Sequence, residues 1–291
     1  MIKRMAAVLF WAALGCGEGS SANNDTIVAY GRENNSGTYM YFKEHVLGNA
    51  DFAAEVMTLP GTAAVIQAVS QDKRSIGYGG IGYVKGVRAL KVKKDASSPA
   101  IEPSLENVVN GTYPISRYLY FYTAGAPEGA IKHFIDWTRS PAGQKVCWDV
   151  GYYPLPEKDR MADPGPSPAG KATITMKGSD TMVILGQRWA ENYMRAHPDI
   201  TIQVTGGGSG VGIAALINSS TNICQASRPM KPKEKEQVKE KQGKDAVEFA
   251  VAMDGLAVFV HESSPLQEIS LDQLKAIYTG KAKSWSALAK P

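Results

Sequence analysis

Gly31-Arg32-Glu33-Asn34-Asn35-Ser36-Gly37-Thr38 is the stretch on which the reading of this chain turns. It follows an apolar run at residues 26–30, Thr-Ile-Val-Ala-Tyr, which has the character of a short buried strand. It precedes residues 39–47, a helical pattern stopped by Gly48. A strand therefore feeds a polar turn, and the turn opens a helix. Ser36, Gly37 and Thr38 fall where the first helical N–H groups lack intrahelical partners. Those groups and the positive end of the helix dipole attract anions. Gly37 admits a ligand close to the backbone, Ser36 and Thr38 add hydroxyls, and Arg32 adds a planar fork of donors suited to an oxyanion. Taken alone, an ordinary N-cap beside a solvated arginine accounts for the stretch better.

The arrangement recurs twice. Gly178-Ser179-Asp180-Thr181-Met182 lies between a strand-like run at 172–176 and a long amphipathic helix at 183–196. Thr205-Gly206-Gly207-Gly208-Ser209-Gly210 lies between a strand-like run at 200–204 and a helical run at 211–218. Three helix mouths, each with Ser or Thr, suggest one small anion held by several helix N-termini and one or two arginines. The glycine loop has neither the spacing of a dinucleotide loop nor the Lys-Ser or Lys-Thr of a P-loop.

These loops, together with Ala226-Ser227-Arg228-Pro229-Met230 and the Arg-x-x-x-Ser-Gly-Thr pattern of residues 32–38, closely resemble the ligand loops of phosphate ABC transporter substrate-binding proteins. So do Ile76-Gly77-Tyr78-Gly79, Tyr113-Pro114-Ile115-Ser116 and Gly151-Tyr152-Tyr153-Pro154-Leu155. The resemblance runs from Asp25 to the C-terminus. It implies a two-lobed, periplasmic-binding-protein-like α/β fold (type II), with the ligand in the interlobe cleft. It implies high-affinity binding of inorganic phosphate in the periplasm for delivery to an ABC importer, with permease subunits as partners, a monomeric binder, no cofactor and no catalysis. Carried over residue by residue, it makes Ser36, Gly37 and Thr38 donors from one lobe with Arg32 as counter-charge. Ser179, Thr181, Met182 (through its N–H) and Ser209 would donate from the other, and Ser227 matches a further ligand position. Arg228 stands where some family members carry the Asp that accepts the phosphate proton, so another carboxylate must take that role. Asp180 is the nearest candidate and Glu33 the second. An N-cap role suits Asp180 as well.

The order of segments departs from the family. There the Gly-Ser-x-Thr loop comes first and the Arg-x-x-x-Ser-Gly-Thr loop later. Here the sequence reads as a circular permutant, with the family's old ends joined through a Pro-rich linker at residues 154–171. The expected division is a targeting segment and tether at 1–24, one lobe from 25–112 plus 261–291, and the other from 113–153 plus 172–260. Residues 113–123 and 256–260 are the expected strands crossing between lobes; a further apolar run lies at 249–253, residues 76–83 read as a strand, and Thr62, Ser104 and Ser270 read as caps of helices at 61–69, 104–109 and 271–279.

The 291 residues, 44% hydrophobic, suffice for two cores. A formal net charge of +4 argues against a dedicated nucleic-acid binder and is compatible with attracting an anion. Lys3 and Arg4 followed by a short apolar run form a targeting signal too short to span a bilayer. Ala13-Leu14-Gly15-Cys16 resembles a lipobox, which would anchor the chain in the cell envelope through acylated Cys16. An aliphatic residue is more usual where Ala13 stands. Cys147 and Cys224 either pair in an oxidising compartment or remain buried thiols. The four histidines show neither triad nor metal spacing and read as surface or cap residues, and no nucleophile elbow is present. A binder of another oxyanion (sulfate, molybdate) or a phosphate-sensing receptor would show the same loops.

Overall fold

The computed structural model describes residues 25–83 and 86–288. The expected targeting segment and Cys16 lie outside the described residues.

The first lobe opens with β1 (Val28–Arg32), α1 (Gly37–His45), β2 (Met57–Leu59), α2 (Gly61–Gln71) and β3 (Ser75–Gly80). Short strands β4 (Val87–Ala89) and β5 (Lys91–Lys93) and helix α3 (Leu105–Val109) follow. The chain crosses on β6 (Ser116–Ala124) into α4 (Gly129–Arg139) and α5 (Pro141–Asp149). Then come β7 (Ala172–Gly178), α6 (Val183–Ala196), β8 (Ile200–Thr205), α7 (Ser209–Ile217), β9 (Ile223–Ala226) and α8 (Pro232–Gln242). The long β10 (Ala246–His261) returns the chain, which ends with β11 (Glu268–Ser270), α9 (Leu271–Tyr278) and α10 (Trp285–Leu288).

Among the described residues, nine strands form one sheet in the order β2-β1-β3-β10-β6-β9-β7-β8, with β4 paired to β10. Strand-to-helix order makes β1–β2, β1–β3, β7–β8 and β7–β9 parallel, as crossover connections require. The two apolar runs expected at 249–253 and 256–260 are one continuous strand. Its first half pairs with β6 through Gly255↔Ser116, and its second half pairs with β3 from Leu256↔Gly80. Asp254-Gly255 looks like a turn in sequence, but a fully buried carboxylate with hydrogen-bond partners can stay in a strand.

Two main cores flank that change of partner. One joins Phe42, Tyr78, Val92 and Tyr113 to Leu256, Phe259, Leu274 and Tyr278. Phe42 stacks on Tyr78 at 4.0 Å between ring centroids and meets Tyr278 edge-on at 4.8 Å. The C-terminal segment belongs to this body: Thr26 bridges to Ser284, and Ile27 N–H donates to Lys283 O at 3.0 Å. The other core joins Leu119, Phe121, Phe134, Met176, Leu185, Trp189 and Val251. Trp189 satisfies its buried indole N–H on Gly143 O at 2.7 Å. A smaller cluster around Tyr122, Leu216, Cys224 and Val238 fills the other face of that sheet.

Four local expectations change. Residues 81–83 form a 3-10 turn, because the Asp254 carboxylate takes the Ile81 N–H and ends β3. The Pro-rich segment is not a free tether: Asp159 accepts from Tyr118 Oη, Gly165 O binds His133, and Leu155 is buried. His133 is accordingly a buried residue, bonded also to Tyr193 Oη at 2.7 Å, and not a surface one. Thr62 does not cap α2, whose N-cap is Pro60 with no side-chain bond. Cys147 and Cys224 are both buried free thiols whose ionisation burial disfavours.

Helix α2 lies close on β3 because Gly77 has no side chain: a Cβ there would stand 2.7 Å from Val69 Cγ2 and 2.8 Å from Val65 Cγ1. β-branched neighbours yield little at χ1. Gly77→Ala is therefore expected to destabilise the fold by about 1–3 kcal/mol through overpacking. Urea unfolding checks this, and an unchanged midpoint would contradict it.

Candidate functional site

The site is assembled from three strand-to-helix turns, as the sequence suggested, plus two groups on the crossing strands that it did not. Ser36 is the N-cap of α1, and its Oγ accepts from the N–H groups of Thr38 and Tyr39. Gly37 has to be glycine: a Cβ would lie 2.3 Å from Ser209 Oγ and 2.6 Å from Ser227 Oγ. The mouth of α1 in one lobe thus touches the mouth of α7 and the end of β9 in the other. Ser209 Oγ lies 3.3 Å from Ser227 Oγ and accepts the Ser227 N–H at 3.1 Å. Thr38 Oγ1 meets Thr181 Oγ1 across the cleft at 2.7 Å. Ser179 is buried beside them, its N–H donating to Gln225 O, while its own hydroxyl has no protein partner.

Arg32 is 1% exposed, and each of its three side-chain nitrogens has a partner. Nη1 donates to Thr62 Oγ1 at 2.8 Å, Nε and Nη2 each donate to Glu33 at 3.1 Å, and Nη2 also reaches Asp180 Oδ2 at 2.9 Å. Burial acts to raise the Glu33 carboxyl, but the Arg32 hydrogen bonds and charge and the Gly61 N–H outweigh it and hold the group below its ordinary range. Asp180 joins the lobes, because its other oxygen accepts the Gly207 N–H at 2.7 Å and its backbone carbonyl accepts from Tyr83 Oη at 2.9 Å. The Asn35 backbone and side chain add two more interlobe bonds, to Gly210 N and Gly207 O.

Two expected ligands sit differently. The Met182 N–H donates to Ser179 O at 3.0 Å in the 3-10 turn that precedes α6, and the Met182 side chain fills the second core. Arg228 is turned away from the hydroxyl cluster. It makes a two-pronged pair with Glu234 at 2.7 and 2.8 Å, and Glu234 also accepts the Lys231 N–H at the start of α8. A carboxylate fixed by helix capping is a better partner for a planar guanidinium than open cleft. Ser36, Gly37, Thr38, Ser179, Asp180, Thr181, Ser209 and Ser227 come together, with Arg32 at their edge.

Arg117 and Asp254 were missed. They stand opposite each other in the β6–β10 register and form an ion pair at 2.7 Å, with side chains 2% and 0% exposed. Burial raises the Asp254 carboxyl, and Arg117 offsets this only in part. Arg117 also donates to Thr38 Oγ1 and to Ser227 O, each at 3.0 Å. The available signal was parity. Arg117 shares a strand face with Leu119 and Phe121, a face too apolar for an unpaired charge. Among the described residues no group of three or more His, Cys, Asp or Glu gathers to hold a metal, and no helix is long and apolar enough to cross a membrane.

Convergent hydroxyls and helix mouths between two α/β bodies have the chemistry to hold an anion. The sequence profile of the PBP superfamily domain matches residues 11–142 and 164–291. A phosphate-binding protein PstS of Pseudomonas aeruginosa is 42% identical over 134 residues, 44% of this chain and 42% of the relative. The matched region thus spans less than half of that relative. Phosphate-binding protein PstS 2 of Streptococcus agalactiae is 30% identical over 289 residues, covering 95% of this chain and 92% of its own length. Among solved structures, a phosphate ABC transporter phosphate-binding protein from Streptococcus pneumoniae TIGR4 superposes with a TM-score of 0.68 at 25% identity, over 90% of this chain and 99% of that one. The chain belongs to the PBP superfamily and, within it, to the family of the PstS phosphate-binding proteins.

Proposed function

We propose that this chain binds inorganic phosphate reversibly between its lobes, without turnover, and presents it in the cell envelope to the permease subunits of an ABC importer. The observation that carries the reading is the meeting of the α1 mouth with the Ser209, Ser227 and Thr181 hydroxyls, beside a buried Ser179 hydroxyl without a protein partner. A tetrahedral oxyanion offers the acceptors such a set needs. The names of the relatives support phosphate as that anion. In this reading Ser36, Gly37, Thr38, Ser179, Thr181 and Ser209 donate to the anion, and Arg32 holds the rim. Anchoring through Cys16 would keep the binder at the membrane surface.

Asp180 is proposed as the acceptor of the phosphate proton. Phosphate near neutral pH carries a proton and sulfate does not, so a fixed carboxylate rewards the first and repels the second. Both Asp180 oxygens have one donor each, from Arg32 and Gly207, which leaves a lone pair on either. We also propose the permuted order. The profile match breaks between residues 142 and 164, and Asp25 accepts the Trp285 and Ser286 N–H groups, so the two segments lie ready to join.

Calorimetry on the purified protein should show saturable phosphate binding, and the absence of heat and of any thermal shift at millimolar phosphate would sink the function. Arg32→Ala is expected to weaken binding by about 2–5 kcal/mol, because it strips the partner from two carboxylates beside the anion. Lys231→Ala, on a half-exposed side chain 3.8 Å from Glu44, should change little; equal losses for the two would contradict the site. Asp180→Asn should admit sulfate. If sulfate stays excluded and phosphate affinity holds, Asp180 only ties the lobes together. A chain rewritten to run from residue 172 to 291 and on through 25 to 155 should fold and bind phosphate alike, and failure to fold would contradict the permutation.

A further inference from the structure

The charged pair on the crossing strands has a task that neither lobe can perform alone. Arg117 and Asp254 sit where β10 exchanges its β6 partner for β3. Asp254 Oδ2 holds Nε and Nη2 of Arg117 at 3.0 and 2.7 Å, and Asp254 Oδ1 takes the Ile81 N–H from the first lobe at 3.0 Å. From that seat the guanidinium reaches in two directions. Nη1 donates to the Ser227 carbonyl in the second lobe, and Nη2 donates to Thr38 Oγ1 in the first. The Tyr41 ring lies 5.3 Å from the guanidinium carbon. One side chain therefore touches the hinge and both lobes at once.

The direction of these bonds matters more than their number. Arginine has donors and no acceptor, so Thr38 Oγ1 must accept from it. The single hydroxyl hydrogen of Thr38 is then turned away from Arg117, towards Thr181 or towards the cleft. Thr38 and Thr181 touch at 2.7 Å, and only one of the two can donate to the other. The remaining hydrogen has to find an acceptor elsewhere, and a chain polarised from a cation strengthens its last donor. Any opening that draws the first lobe back from Ser227 lengthens the span that Arg117 has to bridge to Thr38. The Arg117–Thr38 bond cannot survive a separation of more than a few tenths of an ångström.

Resting on the phosphate-binding reading, we propose that Arg117, held by Asp254, is a positioning residue that locks the closed cleft and fixes Thr38 and Thr181 as donors to the bound anion. It acts through Thr38 and does not touch the ligand. Because Asp254 neutralises it, its effect is one of geometry and hydrogen-bond direction and not of net charge. Release of the anion should therefore wait on the breaking of the Arg117–Thr38 bond.

The test is stopped-flow phosphate binding on the full chain, comparing wild type with Arg117→Lys, Thr38→Val, the neutral pair Arg117→Gln/Asp254→Asn, and that pair combined with Thr38→Val. The neutral pair avoids leaving Asp254 as a bare buried charge, and Arg117→Lys keeps the charge but cannot span three partners. Both should raise the phosphate off-rate at least about tenfold, while the on-rate changes by less than about threefold. Adding Thr38→Val to the neutral pair should cost less than it does in wild type, since the Arg117 link is already gone and only the direct Thr38 donation to the anion remains to be lost. Unchanged off-rates, full rescue by lysine, or additive losses would each overturn the proposal. Wild type that fails to bind phosphate would overturn the function as well, whereas binding by wild type with unaltered variants would overturn the lock alone.

Discussion

One sixteen-residue strand, Ala246–His261, carries both halves of this molecule. Its first ten residues pair with β6 and its last ones with β3, so neither sheet can form completely without it. A strand shared in this way forbids free tumbling of the lobes and allows bending at the point where the partner changes. That point is occupied by Asp254. A buried carboxylate in the middle of ten buried residues is costly unless it is paired, and its partner, Arg117, lies directly across the ladder. The chain thus places at its hinge a pair whose breaking would be strongly unfavourable.

The electrostatics of the cleft follow from the same logic. Each arginine in it already has a carboxylate: Arg32 has Glu33 and Asp180, and Arg117 has Asp254. Among the described residues, neither of these arginines brings an unpaired positive charge to the hydroxyl cluster. In the proposed reading an anion bound there would be held by peptide N–H groups, helix mouths and hydroxyls in a water-poor space, where oriented dipoles act strongly. Such donors would suit a tetrahedral oxyanion, and on the same proposal the neighbouring carboxylates would penalise any oxyanion that brings no proton.

The parts of this arrangement governed by local rules were legible in the sequence. Helix α6 has the predicted bounds, Ser270 and Ser104 cap their helices, and the three polar turns fall where periodicity put them. Boundaries governed by distant partners were not. The strand at 76–83 stops early because Asp254, more than 170 residues away, takes the Ile81 N–H. Residues 249–260 read as two runs because Asp-Gly signals a turn, and only a buried arginine on another strand overrules that signal. Arg228 looked like a ligand from its place in a loop motif, but Glu234 six residues on claims its fork. The tertiary partner of a charge is the one thing a local pattern does not specify.

Salt dependence tests the central claim most directly. If the anion is held by dipoles and hydroxyls with every cleft arginine neutralised, phosphate affinity should fall by less than roughly threefold between low salt and about 0.5 M sodium chloride. A loss greater than roughly tenfold over that range would show that unpaired positive charge, and not the converging helix mouths, holds the ligand.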